Sequence, residues 1–123
     1  MYKISRDVVA SIIEAARNVY PEEFIGMLGG SRKDKIIDEL IIVPAVYGEG
    51  FTMVHSHLIP FDPKIMGTVH SHPSPATYPS QQDLETFGKT GEIHIIIGHP
   101  YTYETIRAFD RNGKSVQITV VMD

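Results

Sequence analysis

Residues 68–83, TVHSHPSPATYPSQQD, constrain this chain more than any other stretch. They read as the end of one strand, one stiff loop and the start of one helix. His70 and His72 are two apart on an extended segment, so both imidazoles leave the same face, with Cα atoms about 7 Å apart. Pro73, Pro75 and Pro79 restrict the backbone of the loop that follows. Ser80 then offers a helix N-cap, and Asp83 falls in the first helical turn. Two imidazoles and a carboxylate so placed can converge on one ion at about 2.0–2.2 Å and leave a coordination position open. That is the arrangement of a catalytic zinc rather than a structural one. The same residues admit plainer readings. Strands also carry histidines that bind nothing, and Ser80-x-x-Asp83 is a near relative of the reciprocal capping box that begins many helices.

Composition narrows the alternatives. The chain has no cysteine, so a thiolate site, a disulfide framework and a cysteine nucleophile are all excluded, and a metal must be held by His, Asp or Glu. Its 123 residues suit one domain, 1–123, able to bury a core without staples. Hydrophobic residues make up 42% and charged residues 21%, a globular balance. A net charge of -4 argues against nucleic acid or an anionic membrane as the main partner. The N-terminal MYKISRDVV lacks the apolar segment of a signal peptide, and no apolar run is long enough to span a bilayer. A cytoplasmic location is the expectation.

The remaining elements follow from periodicity and punctuation. Ser5 caps a helix over 5–20, with Val8, Val9, Ile12, Ile13, Ala16 and Val19 on one stripe and Pro21 as its stop. Residues 24–30, FIGMLGG, read as a short buried strand whose glycines allow a close backbone approach. A polar turn at 31–35 and a strand at 36–43 complete a hairpin, closed by Pro44. A flexible loop at 48–50, a strand at 51–57 and an irregular or briefly helical 58–66 lead to the strand at 67–72. The helix from Ser80 runs to about Lys89, with Leu84 and Phe87 toward the core and Gly91 as its end. The apolar run at 93–98 is a central buried strand. The chain then forms a hairpin, 105–110 and 116–122, about Asn112-Gly113. Helix, strands, helix, strands is the order of a mixed α/β or α+β fold rather than a regular βαβ repeat. His94 and His99 are expected to be structural or surface residues. His55-Ser-His57 repeats the tripeptide His70-Ser-His72, but the position eleven after His57 is Thr68, not an acid, so that pair is read as free of metal.

His70-x-His72, seven residues, Ser80, two residues and Asp83 together match the H-x-H-x(7)-S-x(2)-D signature of the JAMM (MPN+, JAB domain) zinc metalloproteases. Upstream, Glu23-Phe-Ile-Gly26-Met-Leu28-Gly-Gly30 fits the family's E-x-x-G-x-L-x-G segment. The chain thus resembles that family over nearly its whole length, as a minimal, stand-alone prokaryotic-type member. The resemblance implies a cytidine-deaminase-like MPN fold, a mixed curved sheet flanked by helices. It implies one zinc per chain on His70, His72 and Asp83, with Glu23 as general acid/base and Ser80 stabilising the oxyanion. Glu22 competes with Glu23. On a strand the two would face opposite ways, and the family register selects Glu23.

The activity implied is cleavage of ubiquitin-like small modifiers from lysine conjugates after a C-terminal diglycine, by Glu-assisted attack of water activated by zinc. An extended tail would be held by strand addition to a sheet edge. Phe51 and Met53 on one side, and Ser74, Ala76 and Tyr78 on the other, are the expected contacts. The alternatives are a non-catalytic MPN-type scaffold or modifier-binding module, trimming of a sulfur-carrier-like C-terminus, and a metal hydrolase acting on a small amide or phosphodiester. A homodimer is left open.

Overall fold

The computed structural model describes residues 1–42 and 63–122. The expected loop at 48–50, the strand at 51–57, Phe51, Met53, His55 and His57 lie outside the described residues. Among those described, no helix is long and apolar enough to cross a membrane.

Chain order is β1 (Tyr2–Ser5), α1 (Arg6–Val19), β2 (Ile25–Ser31), β3 (Ile36–Ile42), β4 (Ile65–His72), α2 (Gln81–Thr90), β5 (Ile93–Gly98), a short 3₁₀ turn (Tyr103–Thr105), β6 (Ile106–Phe109), β7 (Ser115–Val116) and β8 (Ile118–Val121). The strands form one mixed sheet in the order β7-β6-β5-β4-β2-β3-β1-β8. β4 and β5 run parallel, while β2 pairs antiparallel with both β3 and β4. β7 and β8 stand at opposite ends of that order, yet only Gln117 separates them in sequence. The sheet therefore curls until its two edges nearly meet.

Two features depart from the sequence expectation. Residues 2–5 are a strand, pairing in parallel with β3 and β8, where periodicity showed only the run-up to a helix cap. A four-residue strand has too few alternations to stand out beside a strong helix stripe. The expected strand at 116–122 is also broken. β7 closes the hairpin with β6, and past Gln117 the chain crosses to pair with β1. The Asn112-Gly113 signal fixes a turn and its first rungs, not the path of the chain beyond them.

α1 forms where its stripe and cap dictate. The Ser5 hydroxyl accepts the Asp7 N–H at 3.2 Å, Arg17 lies in the last turn, and Val8, Val9, Ile12 and Ala16 are buried. Burying each larger side chain of that stripe contributes about 1.5–3 kcal/mol. This helix covers one sheet face, against Leu28, Val69, Ile95 and Ile97. α2 covers the other through Phe87, which packs with Ile96 and Phe109. β5 is buried along its whole length and feeds both layers by alternation. The glycines of β2 accommodate the neighbouring strand. A Cβ at Gly30, where φ is +156° beside a register shift, would overlap the Ile36 carbonyl oxygen.

Candidate metal centre

β4 carries Thr68, His70 and His72 on the face that α2 covers, and both His70 and Thr68 are fully buried. α2 begins as the sequence expects. The Ser80 hydroxyl accepts the Asp83 N–H at 3.0 Å, and the Ser80 N–H donates to Asp83 Oδ2 at 2.9 Å, a complete capping box. Asp83 and Phe87 are one turn apart on the buried face of the helix. Packing of Phe87 against the sheet thereby sets the height of the Asp83 carboxylate over β4.

The result is a tight triangle. His70 Nε2 and His72 Nε2 are 3.1 Å apart. Asp83 Oδ1 lies 3.3 Å from His70 Nε2, and Oδ2 lies 3.4 Å from His72 Nε2. Donor atoms bound about 2.05 Å from a tetrahedral ion are separated by about 3.3 Å. The two imidazole nitrogens, and each imidazole with its nearer Asp83 oxygen, are therefore at the spacing of ligands on one tetrahedral ion, the three residues offer ligand atoms within 4.8 Å of one another, and an all-N/O donor set suits zinc.

The ring orientations support the same reading. His72 Nδ1 is 2.8 Å from the Ala76 carbonyl oxygen, which can only accept. In the neutral ring the proton is therefore on Nδ1 and the Nε2 lone pair faces Asp83 and His70; a second proton, on Nε2, would be donated to Asp83. Burial alone would raise the Asp83 pKa, but hydrogen bonds and charge from His70 and His72 hold the carboxyl well below its ordinary range. Burial alone would lower His72, yet the Asp83 carboxylate and the Ala76 carbonyl bring it above its ordinary value.

The loop that delivers Asp83 is tied to the end of β5. The His99 N–H donates to the carbonyls of His72 and Ser74 at 3.2 and 3.0 Å. A Cβ at Gly98 would come within 2.8 Å of Thr77 Cγ2 and 2.9 Å of the Ser74 carbonyl oxygen, so the loop lies directly on bare backbone there. Beside the triangle opens a cleft of about 280 Å³ lined by Glu23, His72, Pro73, Ser74, Ser80, Gln82 and Asp83. A larger hollow of about 530 Å³ between α1 and β3 contains Asp7, Glu14, Asp38 and Glu39 but none of these groups.

Glu23 thus reaches the cleft. Glu22 is exposed, does not line it, and donates its N–H to the Val19 carbonyl at 2.8 Å. The two glutamates are not separated by strand alternation as expected, because both precede β2, which starts at Ile25. Ser74 lines the cleft, Ala76 enters the site through its carbonyl, and Tyr78 is 80% exposed on the same loop. His94 is buried, stacked on Phe87 at 4.2 Å, and bonded to Thr68 and Gly91. His99 lies in a ring cluster with Tyr20 and Tyr101. The sequence reading overlooked Gln82 in the cleft and Ser71 behind it. Ser71 had a signal, since it is a hydroxyl on the apolar face of a strand. Gln82 had none.

A family model described as prokaryotic homologs of the JAB domain matches residues 5–112. A probable metalloprotease from Haloferax volcanii is 32% identical over 96% of this chain and 78% of its own length. Two solved structures are each 38% identical. One is described as JAMM, a metalloprotease-like zinc site in the proteasome and signalosome (TM-score 0.78, covering 98% of both chains). The other is a JAB1/MPN domain protein from Archaeoglobus fulgidus (TM-score 0.77, covering 98% of this chain and 97% of that one). A protein from Desulfitobacterium hafniense shares the fold at 17% identity, with a TM-score of 0.69.

Proposed function

The chain belongs to the prokaryotic JAB-domain family of JAMM/MPN+ type, and from that premise we propose that it is a zinc metalloprotease cleaving ubiquitin-like small modifiers from lysine conjugates after a C-terminal diglycine. The observation that carries the reading is the 3.1–3.4 Å triangle of His70, His72 and Asp83 with Glu23 in the adjoining cleft.

In this reading His70, His72 and Asp83 hold one zinc ion. Zinc bound there supplies Lewis-acid polarisation and makes water a nucleophile near neutral pH. Glu23 would act as the general base, accepting a proton from the attacking water, and would then return it to the departing amine as the amide C–N bond breaks. The Ser80 oxygen caps α2, and its hydroxyl proton would be free to stabilise the oxyanion, two roles that use different parts of one group. Ser74 in the cleft wall, with Ala76 and Tyr78 on the same loop, would contact the extended tail, and Phe51 and Met53, outside the described residues, are proposed as further contacts. A cytoplasmic setting belongs to this proposal too.

The test is release of a ubiquitin-like protein from a lysine conjugate by the zinc-loaded chain, set against a small amide. Glu23→Gln should keep its zinc and lose turnover by ~10²-fold or more. Binding of the modifier without any cleavage would instead favour a scaffold. Cleavage of the small amide alone would remove the modifier from the proposal. Loss of turnover in Glu22→Gln rather than Glu23→Gln would shift the base by one residue.

A further inference from the structure

We propose that Ser71, the residue between the two histidines, is a positioning residue for Glu23. The inference rests on the reading of Glu23 as the general base. Ser71 is fully buried and, by alternation along β4, projects away from the face that carries the imidazoles. It cannot join the triangle. It makes two bonds to one residue of the neighbouring strand segment: its N–H donates to the Phe24 carbonyl at 2.9 Å, and its Oγ accepts the Phe24 N–H at 2.7 Å.

The second bond is unusual for its place in the sheet. β2 and β4 pair antiparallel, with Ile25 opposite His70, so Phe24 stands opposite Ser71. An ordinary closing rung would send the Phe24 N–H to the Ser71 carbonyl. Here the hydroxyl takes it. The ladder thus ends in a side-chain clasp at the point where the β2 segment leaves the sheet, and the next residue outward is Glu23. The Phe24 side chain is buried in the α1-side core, which holds the far side of the same residue. Glu23 is therefore one peptide away from a residue fixed by two hydrogen bonds and a core contact. The residue that fixes it is also the neighbour of both metal-facing imidazoles. The base and the ligand pair share one rigid joint, although 47 positions separate Phe24 from Ser71.

Without the hydroxyl, the buried Phe24 N–H loses its acceptor, and residues 22–24 must move to reach another, either the Ser71 carbonyl of an ordinary rung or water. A displacement of about 1 Å at a catalytic group costs up to ~10²-fold in rate. Such a shift would leave His70, His72 and Asp83 where they are.

The test uses the full chain and its zinc-loaded form. Ser71→Ala should retain one zinc per chain by elemental analysis, lower kcat ~10-fold or more, and leave KM within about 2-fold. Ser71→Cys keeps the volume but offers only a weak acceptor, and should show the same kcat loss should Ser71→Ala fold poorly. The decisive comparison is the double variant. In a Glu23→Gln background, Ser71→Ala should change the residual turnover less than about 2-fold, because the group it positions is already disabled. Equal losses in both backgrounds would assign Ser71 a general structural role and overturn the proposal, as would unchanged kcat in Ser71→Ala and Ser71→Cys. Those outcomes leave the functional reading standing provided Glu23→Gln is itself inactive. Full turnover in Glu23→Gln would overturn the functional reading, and this inference with it.

Discussion

His72 and His94 lie on adjacent parallel strands of the same sheet, and α2 lies over both, yet their ring nitrogens face opposite situations. His94 Nε2 lies 3.1 Å from the Gly91 carbonyl oxygen, so it carries the proton, and Nδ1 accepts the Thr68 hydroxyl at 2.7 Å. Both nitrogens of that neutral ring have protein partners, and Phe87 covers its face. His72 carries its proton on Nδ1, toward the Ala76 carbonyl, and turns its Nε2 lone pair toward two other ligand atoms. The contrast shows how a histidine built for packing differs from one built for binding. Burial is no guide to the difference, since metal-facing His70 is as buried as His94. The direction of the lone pair is.

Substitutions at the two sites should separate metal binding from stability. The largest effect is expected at the triangle: Asp83→Asn should remove stoichiometric zinc and reduce turnover to background, read by elemental analysis and conjugate cleavage. Next comes His94→Phe, which keeps the stack on Phe87 but leaves the Thr68 hydroxyl and the Gly91 carbonyl without their partner. It should cost about 1–3 kcal/mol in denaturant unfolding for each stranded group while zinc content stays the same. If it removed the metal instead, the division between the two histidines would fail.

Acid should reveal the same division. Burial first, with smaller repulsion from His70 and Arg111, pushes the His94 pKa down to about 4 against the opposing pull of the Gly91 and Phe87 carbonyls. The unfolded chain takes up a proton near pH 6.5 while the folded ring stays neutral, so stability is full above about 6.5 and falls as the pH drops toward 4. That interval is worth about 3 kcal/mol. The difference between the native protein and His94→Phe, followed by urea unfolding across that range, should isolate it. A constant difference from pH 7 to 4 would contradict the assignment. The smallest effect on stability is at the cap: Ser80→Ala should lower it by about 1 kcal/mol.

Much of this contrast was legible in the chain itself, for reasons that differ by residue. The triangle shows because its spacing is local: a two-residue alternation, a proline loop and a helix cap all fall within residues 68–83. α1 and β5 show because long periodic or unbroken apolar runs encode burial directly. β1 and the path of β8 do not, because strand partners far apart in sequence leave no local mark. Glu23 is distinguished from Glu22 by the family register and not by strand alternation, since both residues precede β2. Ser71 and the Ala76 carbonyl escaped because one acts on a backbone N–H and the other is backbone.

X-ray absorption at the zinc edge of the loaded protein tests the central claim most directly. Two imidazole nitrogens at about 2.0–2.1 Å, with oxygen completing the shell, should appear in the native protein and persist in His94→Phe. One imidazole should be lost in His72→Gln. A shell that loses its imidazole in His94→Phe, or keeps both in His72→Gln, would contradict it.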